Sequence, residues 1–329
     1  MDYSNTGVTG ATGTINRPLR EDIGKVLITG DLGFVGSATK QLFHKEGIIY
    51  VGYDILDGLD IRDGGRLEKV IQENSIKRIL HLAAIARFSD ADDNPKLAHE
   101  TNVMGTRNIA VLANKYHIPV VYSSTGSVYM PVDEKPPITE NFKAKGNSVY
   151  GCTKYMGETY IREVNPHIIL RYAHLYGAEK RMHGLIGGFM NRIQRGLAPT
   201  LYGGKQSNDF TYIKDIALAN FLAVTASWEK WNQVYNIGTG EEITAERAGK
   251  IICDMTGWKG SVDKKDARIV DPERFVYDIS KADRILGFKA KFNFYDGLAD
   301  MFKVLGYKID SSLRKEVTHE NGKKRKTVA

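Results

Sequence analysis

KVLITGDLGFVG, residues 25–36, is the stretch on which the fold turns. A short apolar, β-branched run (KVLIT) ends on Gly30, glycines return at Gly33 and Gly36, and residues 34–44 continue with helical character. The order is strand, glycine turn, helix. Glycines so placed let the backbone turn tightly and let a pyrophosphate approach the amino end of the helix. A rival loop, Val8-Thr9-Gly10-Ala11-Thr12-Gly13, has no apolar strand before it and has Asn16 where a third glycine would fall. It is rejected on both counts.

Working outward, the same alternation continues. Residues 48–53 (IIYVGY) read as a second strand, 66–73 as a helix, 78–82 (RILHL) as a third strand and 96–116 as a longer helix. Residues 119–122 (PVVY) make a fourth strand, 149–163 a helix and 167–170 (HIIL) a fifth strand. Apolar strands alternating with helices predict an α/β protein with a doubly wound parallel sheet, the Rossmann arrangement, covered on both faces. Past Gly177 the pattern changes to a helix at 187–195, turn-rich segments such as YGGKQSND, and mixed elements to residue 307. The expected organisation is a flexible leader at 1–22, a dinucleotide-binding domain at 23–177, a smaller α/β substrate domain mainly at 178–307, and a basic tail at 308–329.

Composition narrows the functional class. The chain has 329 residues, 42% hydrophobic and 26% charged, which excludes disorder throughout and guarantees a sizeable core. No apolar run reaches the ~18 residues of a membrane span. The best, residues 216–228, is broken by Asn220, and the amino terminus lacks a secretory pattern. Cys152 and Cys253 read as reduced thiols of a cytoplasmic protein. The net charge of +7 is concentrated at the end, where residues 308–329 hold seven Lys/Arg against three acids. Lys323, Lys324, Arg325 and Lys326 therefore read as solvated tail, and neither nucleic acid nor a membrane is an expected partner.

Several side chains fall where chemistry needs them. Asp54 ends the second strand, 18 residues after Gly36, where a carboxylate can accept from the hydroxyls of an adenosine ribose and repel a ribose phosphate. That favours NAD over NADP. Asp60 and Ile61 could flank the adenine, and Leu82, Ala83 and Ala84 end the third strand with residues that let the backbone run close to the cofactor. His81 reads as a core histidine. Tyr150 and Lys154 stand four apart on one helix face, and a fixed cation favours a phenolate. Ser123, Ser124 and Thr125 close the fourth strand at the sheet edge that would meet a nicotinamide, Thr125 lying 25 residues before Tyr150. Its hydroxyl can bind the substrate oxygen whose proton Tyr150 takes. Cys152, between them, reads as packing.

GDLGFVG, Asp54, HLAA, SST and YGCTK, in this order and spacing, resemble the extended short-chain dehydrogenase/reductases, specifically the NAD-dependent sugar-nucleotide epimerase/dehydratase group. TNVMGT with Asn102, the pair Arg171-Tyr172, NDFTYIKD, YNIGTG and DISKADRILGF are similar to that group too, so the resemblance runs from about Lys25 to Tyr307. It implies Tyr150 as general base, Lys154 as its partner and ribose anchor, and Thr125 as the residue orienting the substrate hydroxyl. It implies Gly33, Phe34 and Val35 on the pyrophosphate, Asp54 on the ribose, Asp60 and Ile61 on the adenine, and Leu82, Ala83, Ala84, Asn102 and Ser123 on the rest of NAD. A strand at 234–237 would rejoin the first domain, and a homodimer through two long helices is expected.

Within the group, 4,6-dehydratases carry an acidic pair after the threonine; here Gly126 and Ser127 stand there, which favours epimerisation at carbon 4 of a nucleotide sugar. A net dehydrogenase or reductase, and a dinucleotide-binding regulator without turnover, are the alternatives. Three positions depart from the family pattern: His174 in place of Asn, Asn208 in place of the Arg before Asp-Phe, and Met130 in place of Gly. The lost Arg would have held the substrate diphosphate, so either Arg268, Arg274 or a nearby Lys takes over, or the substrate differs. Ser124, Thr125, His174, Asn208 and Arg274 are the expected substrate contacts.

Overall fold

A computed structural model describes residues 21–130, 135–179, 182, 184–267 and 273–307; most of the leader, the basic tail and Arg268 lie outside the described residues. Strand β1 (Val26–Thr29) leads through the glycine turn into helix α1 (Phe34–Lys45), followed by β2 (Tyr50–Tyr53), α2 (Gly64–Glu73) and β3 (Arg78–His81). Next come two short helices, α3 (Phe88–Asp93) and α4 (Pro95–His99), and α5 (Thr106–Tyr116). Then follow β4 (Val120–Thr125), α6 (Val149–Arg162) and β5 (His167–Tyr172).

The remaining chain supplies β6 (His174–Tyr176), α7 (Gly184–Gln194), β7 (Thr200–Tyr202), β8 (Ser207–Asn208), β9 (Phe210–Tyr212), α8 (Ile213–Val224) and β10 (Gln233–Ile237). It ends with β11 (Ile243–Thr244), α9 (Ala245–Thr256), β12 (Asp263–Lys265), β13 (Arg274–Phe275) and α10 (Phe294–Val304).

Six strands form one parallel sheet in the order β2-β1-β3-β4-β5-β10. The doubly wound α/β arrangement expected from the alternation is what the structure has. Each central strand is buried on both faces, which is why the runs read as continuous apolar segments. Val26, Ile28, Leu80, Val121 and Ile168 belong to one core, whereas Leu27, Ile79, Val120, Tyr122 and Ile169 belong to the other. Helix α8 packs beside α1 on the first face, and α5 and α6 pack together on the second. The smaller part carries a three-stranded sheet in the order β11-β8-β13 and two strand pairs, β12-β7 and β6-β9.

Two details go beyond the sequence reading. The helix expected at 96–116 is present from Pro95 to Tyr116, but a π turn at Glu100–Gly105 lies within it, between α4 and α5. That turn carries Asn102, wholly buried, into contact with the loop after β3. Strand β4 closes as read with Ser123, Ser124 and Thr125, and these pair with Leu170, Arg171 and Tyr172, so β5 runs two residues beyond the expected HIIL.

Candidate active site

The strand order reverses beside β1, whose neighbours β2 and β3 leave in opposite directions along the sheet. A crevice opens at such a switch point, outside the carboxyl ends of the strands. Gly30 lies there with φ of +71°, and a Cβ on it would come 2.7 Å from the backbone nitrogen of Ala83. Gly36 is wedged harder, since its Cβ would meet the Gly30 carbonyl oxygen at 2.3 Å. Gly33 differs from both: it has ordinary extended φ and ψ, and its Cβ would meet only that oxygen, at 3.2 Å. It faces open space at the amino end of α1, which has no side-chain cap and no acid in its first turn. Unsatisfied N–H groups of Phe34 and Val35 and the helix dipole thus suit an anion. Beneath the loop, Lys40 Nζ lies 2.6 Å from Asp31 Oδ2 and ties the turn to α1.

Asp54 is buried at the end of β2 and accepts from the Leu32 N–H at 3.0 Å and the Leu56 N–H at 2.9 Å. Its carboxylate is thereby aimed along the rim of the glycine turn. Each oxygen keeps capacity for a ribose hydroxyl. These features fit a dinucleotide, with the loop and α1 holding the pyrophosphate and Asp54 the ribose. Asp60 is placed less directly: Arg62 grips its carboxylate with Nε at 2.9 Å and Nη2 at 2.6 Å. Ile61 is a core residue under Gly105.

Leu82, Ala83 and Ala84 line the half-buried exit from β3, where the Ala83 N–H donates to Thr29 Oγ1 at 3.3 Å. The Asn102 side chain is spent on the protein itself. It accepts from the Ile85 N–H at 2.8 Å and donates to the Ile85 carbonyl at 3.1 Å and to Thr153 Oγ1 at 3.0 Å. It thus clamps the crevice wall to α6. Ser123 Oγ donates to the His81 carbonyl at 3.1 Å.

His81 is locked by direction. The Thr106 hydroxyl donates to the Asn102 carbonyl at 2.7 Å, so it accepts from His81 Nε2–H at 2.9 Å, leaving Nδ1 to accept from Thr29 at 2.7 Å. Burial, with the Lys154 charge adding to it, holds this imidazole well below 6.5. It is a neutral core histidine.

Thr125 and Tyr150 meet. Thr125 ends β4 and caps the following turn, accepting from the Ser127 N–H at 3.2 Å. Tyr150 enters from the first turn of α6, whose cap Ser148 accepts from the Gly151 N–H at 3.1 Å. Burial pushes the phenol up to about 12, and the Thr125 hydrogen bond works against that rise. Phe88 covers the phenol edge-on at 5.4 Å. Lys154, one turn on, is buried with Nζ 4.1 Å over the Tyr122 ring. Burial pulls its amine down to about 7, while Glu158 opposes the fall. In this geometry it is Thr125 that eases the Tyr150 proton. The phenol, the hydroxyl and the amine together can accept, relay and hold a proton beside the crevice.

The expected substrate contacts divide. The Ser124 hydroxyl turns inward and donates to Glu158 Oε1 at 2.6 Å. His174 is exposed beside Phe210 and Phe275, edge-on at 6.0 and 6.5 Å. Phe275 packs on Gly126, so this aromatic wall abuts the carboxyl end of β4. Asn208 sits between β11 and β13, and its buried Oδ1 lacks a hydrogen-bond partner among the described residues. Arg274 is gripped by Glu242, with Nε at 2.7 Å and Nη2 at 2.6 Å, and that contact holds the Glu242 carboxyl down at about 2. An Arg so paired is a neutralised unit. The sequence reading names Arg171 only within the family resemblance and Asp31 only within the glycine turn, and reaches neither Glu158 nor Glu242; for Glu158 the four-residue spacing from Lys154 is the available signal.

Comparison with known proteins agrees with the geometry. A Methanocaldococcus jannaschii protein provisionally named UDP-glucose 4-epimerase is 32% identical over 308 residues, covering 83% of this chain and 95% of that protein. The UDP-glucose 4-epimerase of Thermotoga maritima, solved with UDP-glucose, superposes with a TM-score of 0.79 at 26% identity, covering 86% of this chain and 98% of that one. The UDP-glucose 4-epimerase of Thermus thermophilus, solved with NAD, superposes with a TM-score of 0.74 at 26% identity, covering 85% and 99%. The family model of the NAD dependent epimerase/dehydratase family matches residues 26–238, and the chain belongs to that family of NAD-using enzymes.

Proposed function

We propose that this chain is a 4-epimerase of a nucleotide-activated sugar, working by transient oxidation at carbon 4. The observation that carries the reading is the meeting of the Thr125 hydroxyl and the Tyr150 phenol at the carboxyl end of β4, with Lys154 one helical turn away. The chemistry NAD supplies when bound is reversible hydride uptake. Thr125 orients the substrate hydroxyl, and Tyr150 accepts its proton. The Lys154 ammonium would favour the phenolate form of Tyr150 that accepts this proton, and would anchor the nicotinamide ribose. Tyr150 returns the proton after the sugar has presented its other face, so no net redox occurs. Gly126 and Ser127, directly after Thr125, supply no acid to expel water, which supports epimerisation over dehydration. The named activities of the relatives support a nucleoside-diphosphate sugar.

The aromatic wall formed by the exposed His174 and the buried Phe275, with the small sheet bearing Asn208 and Arg274, would receive that substrate. We extend the proposal to a cytoplasmic homodimer. Its support is the exposed Met104, Val111 and Met156 on and beside α5 and α6, and the free thiols of Cys152 and Cys253. Among the described residues no helix is long and apolar enough to cross a membrane.

A panel of nucleotide sugars tests the reading, with isomer interconversion and NADH release followed together. Interconversion without NADH accumulation is expected, and Tyr150→Phe should lower it by about 100-fold or more with NAD still bound. Stoichiometric NADH release would replace the epimerase by a net dehydrogenase. A fully active Tyr150→Phe would remove the proposed base.

A further inference from the structure

Glu158 lies four residues beyond Lys154 on α6, fully buried, and takes no part in the steps above. Its oxygens accept from Arg171 Nε at 2.9 Å, Arg171 Nη2 at 2.6 Å, Ser124 Oγ at 2.6 Å and Arg162 Nη2 at 3.2 Å. A carboxylate this deep neutralises itself unless it is paired. Burial works to raise it, yet these donors outweigh burial and hold the group below the usual carboxylate range. It is a fixed negative charge. Arg171 is anchored in turn: its Nη1 donates to the Tyr129 hydroxyl at 2.7 Å, and that hydroxyl donates to Asn236 Oδ1 at 2.8 Å. The charge is thereby set from β4, β5 and β10 at once.

Lys154 lies one turn before it on the same helix, and the Glu158 charge opposes the fall of that buried amine. Lys154 has Glu158 and Tyr150 on its own helix, Tyr122 from β4 and His81 from β3, with Arg171 from β5 behind Glu158. Tyr122 and Tyr150 are phenols pushed up by burial and His81 is held neutral, so Glu158 is the anion of this set. We propose that Glu158 is a positioning residue for the reaction: it is the buried counter-charge that favours the ammonium form of Lys154, and through Ser124 it ties that charge to the strand end carrying Thr125. The inference rests on the reading that Tyr150 and Lys154 handle the proton. A carboxylate serving packing alone has no need to bond the residue preceding Thr125.

The test follows the Lys154 Nζ resonance by NMR of lysine-labelled protein across a pH titration, with and without NAD. The wild-type amine should titrate near 7 without NAD. Loss of an opposite charge at this range should lower the Glu158→Gln midpoint by about one unit or more. At about pH 7.5 the charged fraction, and with it kcat, then falls about eightfold while KM stays within about twofold. Glu158→Asp, which keeps the charge, should restore most of the shift. Should Glu158→Gln fail to fold because Arg171 is left unpaired, Glu158→Gln with Arg171→Met is titrated against Arg171→Met alone, so that the difference reads loss of the anion and not of the cation. An unmoved midpoint in folded Glu158→Gln, or equal midpoints in that paired comparison, overturns the proposal. The titration needs no substrate. A shifted midpoint without any epimerase activity leaves the coupling standing and removes the assigned reaction; an unmoved midpoint with intact activity does the reverse.

Discussion

Gly33 and Gly36 stand three residues apart in one turn and should fail for different reasons when given a methyl group. At Gly36 a Cβ would lie 2.3 Å from the Gly30 oxygen and 2.6 Å from Asp31 Cα, both backbone atoms. Ordinary carbon-oxygen contact needs about 1 Å more, so α1 must move away from β1, at a cost of about 1–3 kcal/mol. At about 2–4 °C per kcal/mol for a large domain, Gly36→Ala should melt roughly 2–12 °C lower without any ligand. At Gly33 the backbone is extended, with φ of −69° and ψ of 176°, and the closest atom is 3.2 Å from the added Cβ. Gly33→Ala should therefore melt within about 1–2 °C of the parent, since stiffening the unfolded chain offsets the small adjustment. Its methyl would instead occupy the approach to the α1 amino end, and the NAD dissociation constant should rise at least tenfold, about 1.4 kcal/mol. Scanning calorimetry without NAD and NADH fluorescence titration separate the two. Equal thermal losses in both variants, or parental NAD affinity in Gly33→Ala, would refute the assignment of Gly36 to packing and Gly33 to pyrophosphate.

Three further outcomes are expected. Asp54→Asn should narrow the preference for NAD over NADP by about tenfold, because the charge facing the ribose is gone, and competition titration that finds the ratio unchanged would remove Asp54 from cofactor choice. Acid should destabilise the fold through His81: its native pKa lies below 6.5, so the unfolded chain takes up the proton first and stability declines as pH falls below that value. His81→Gln should flatten urea-unfolding free energies over that window by up to about 1.4 kcal/mol per pH unit, and an unchanged slope would assign the acid sensitivity elsewhere. Gly126→Ala places a Cβ 2.4 Å from Phe275 Cζ, so the aromatic wall must retreat; KM for the sugar substrate should rise at least fivefold with NAD affinity unchanged, and an unaltered KM would detach that wall from the substrate.

The parallel sheet was legible because its causes are local. Val26 to Thr29 followed by Gly30 is a run whose period and punctuation need no partner to interpret. Arg171 is the contrary case. A charged residue after HIIL reads as the strand leaving the core, yet it is 2% exposed, because its counter-ion comes from Glu158 on the preceding helix. The π turn at Glu100–Gly105 was hidden for the same reason: Asn102 is drawn inward by Ile85 and Thr153, and no periodicity encodes either contact. Thr125, Tyr150 and Lys154 could be placed from spacing along one strand and one helix. Asn208 and Arg274 could not, since β8 and β13 are brought together by the tertiary fold, and the grip of Glu242 on Arg274 follows from that pairing.

Strand β10 pairs with β5 from Gln233 opposite Ile168 to Ile237 opposite Tyr172, although the chain between them builds much of the smaller part. A ribosome must therefore release residue 237 before the sheet has its outer border, and until then β5 presents a bare row of N–H and C=O groups. Fragments ending near residue 180 should be sticky rather than autonomous, and expression of the cofactor-facing portion alone should yield inclusion bodies. The same closure is reached by side chains: Phe275 meets Tyr277, Tyr277 meets Tyr129, and the Tyr129 hydroxyl bonds Asn236 and Arg171, a chain through which a sugar held at the aromatic wall would be felt along the outer strands of the sheet.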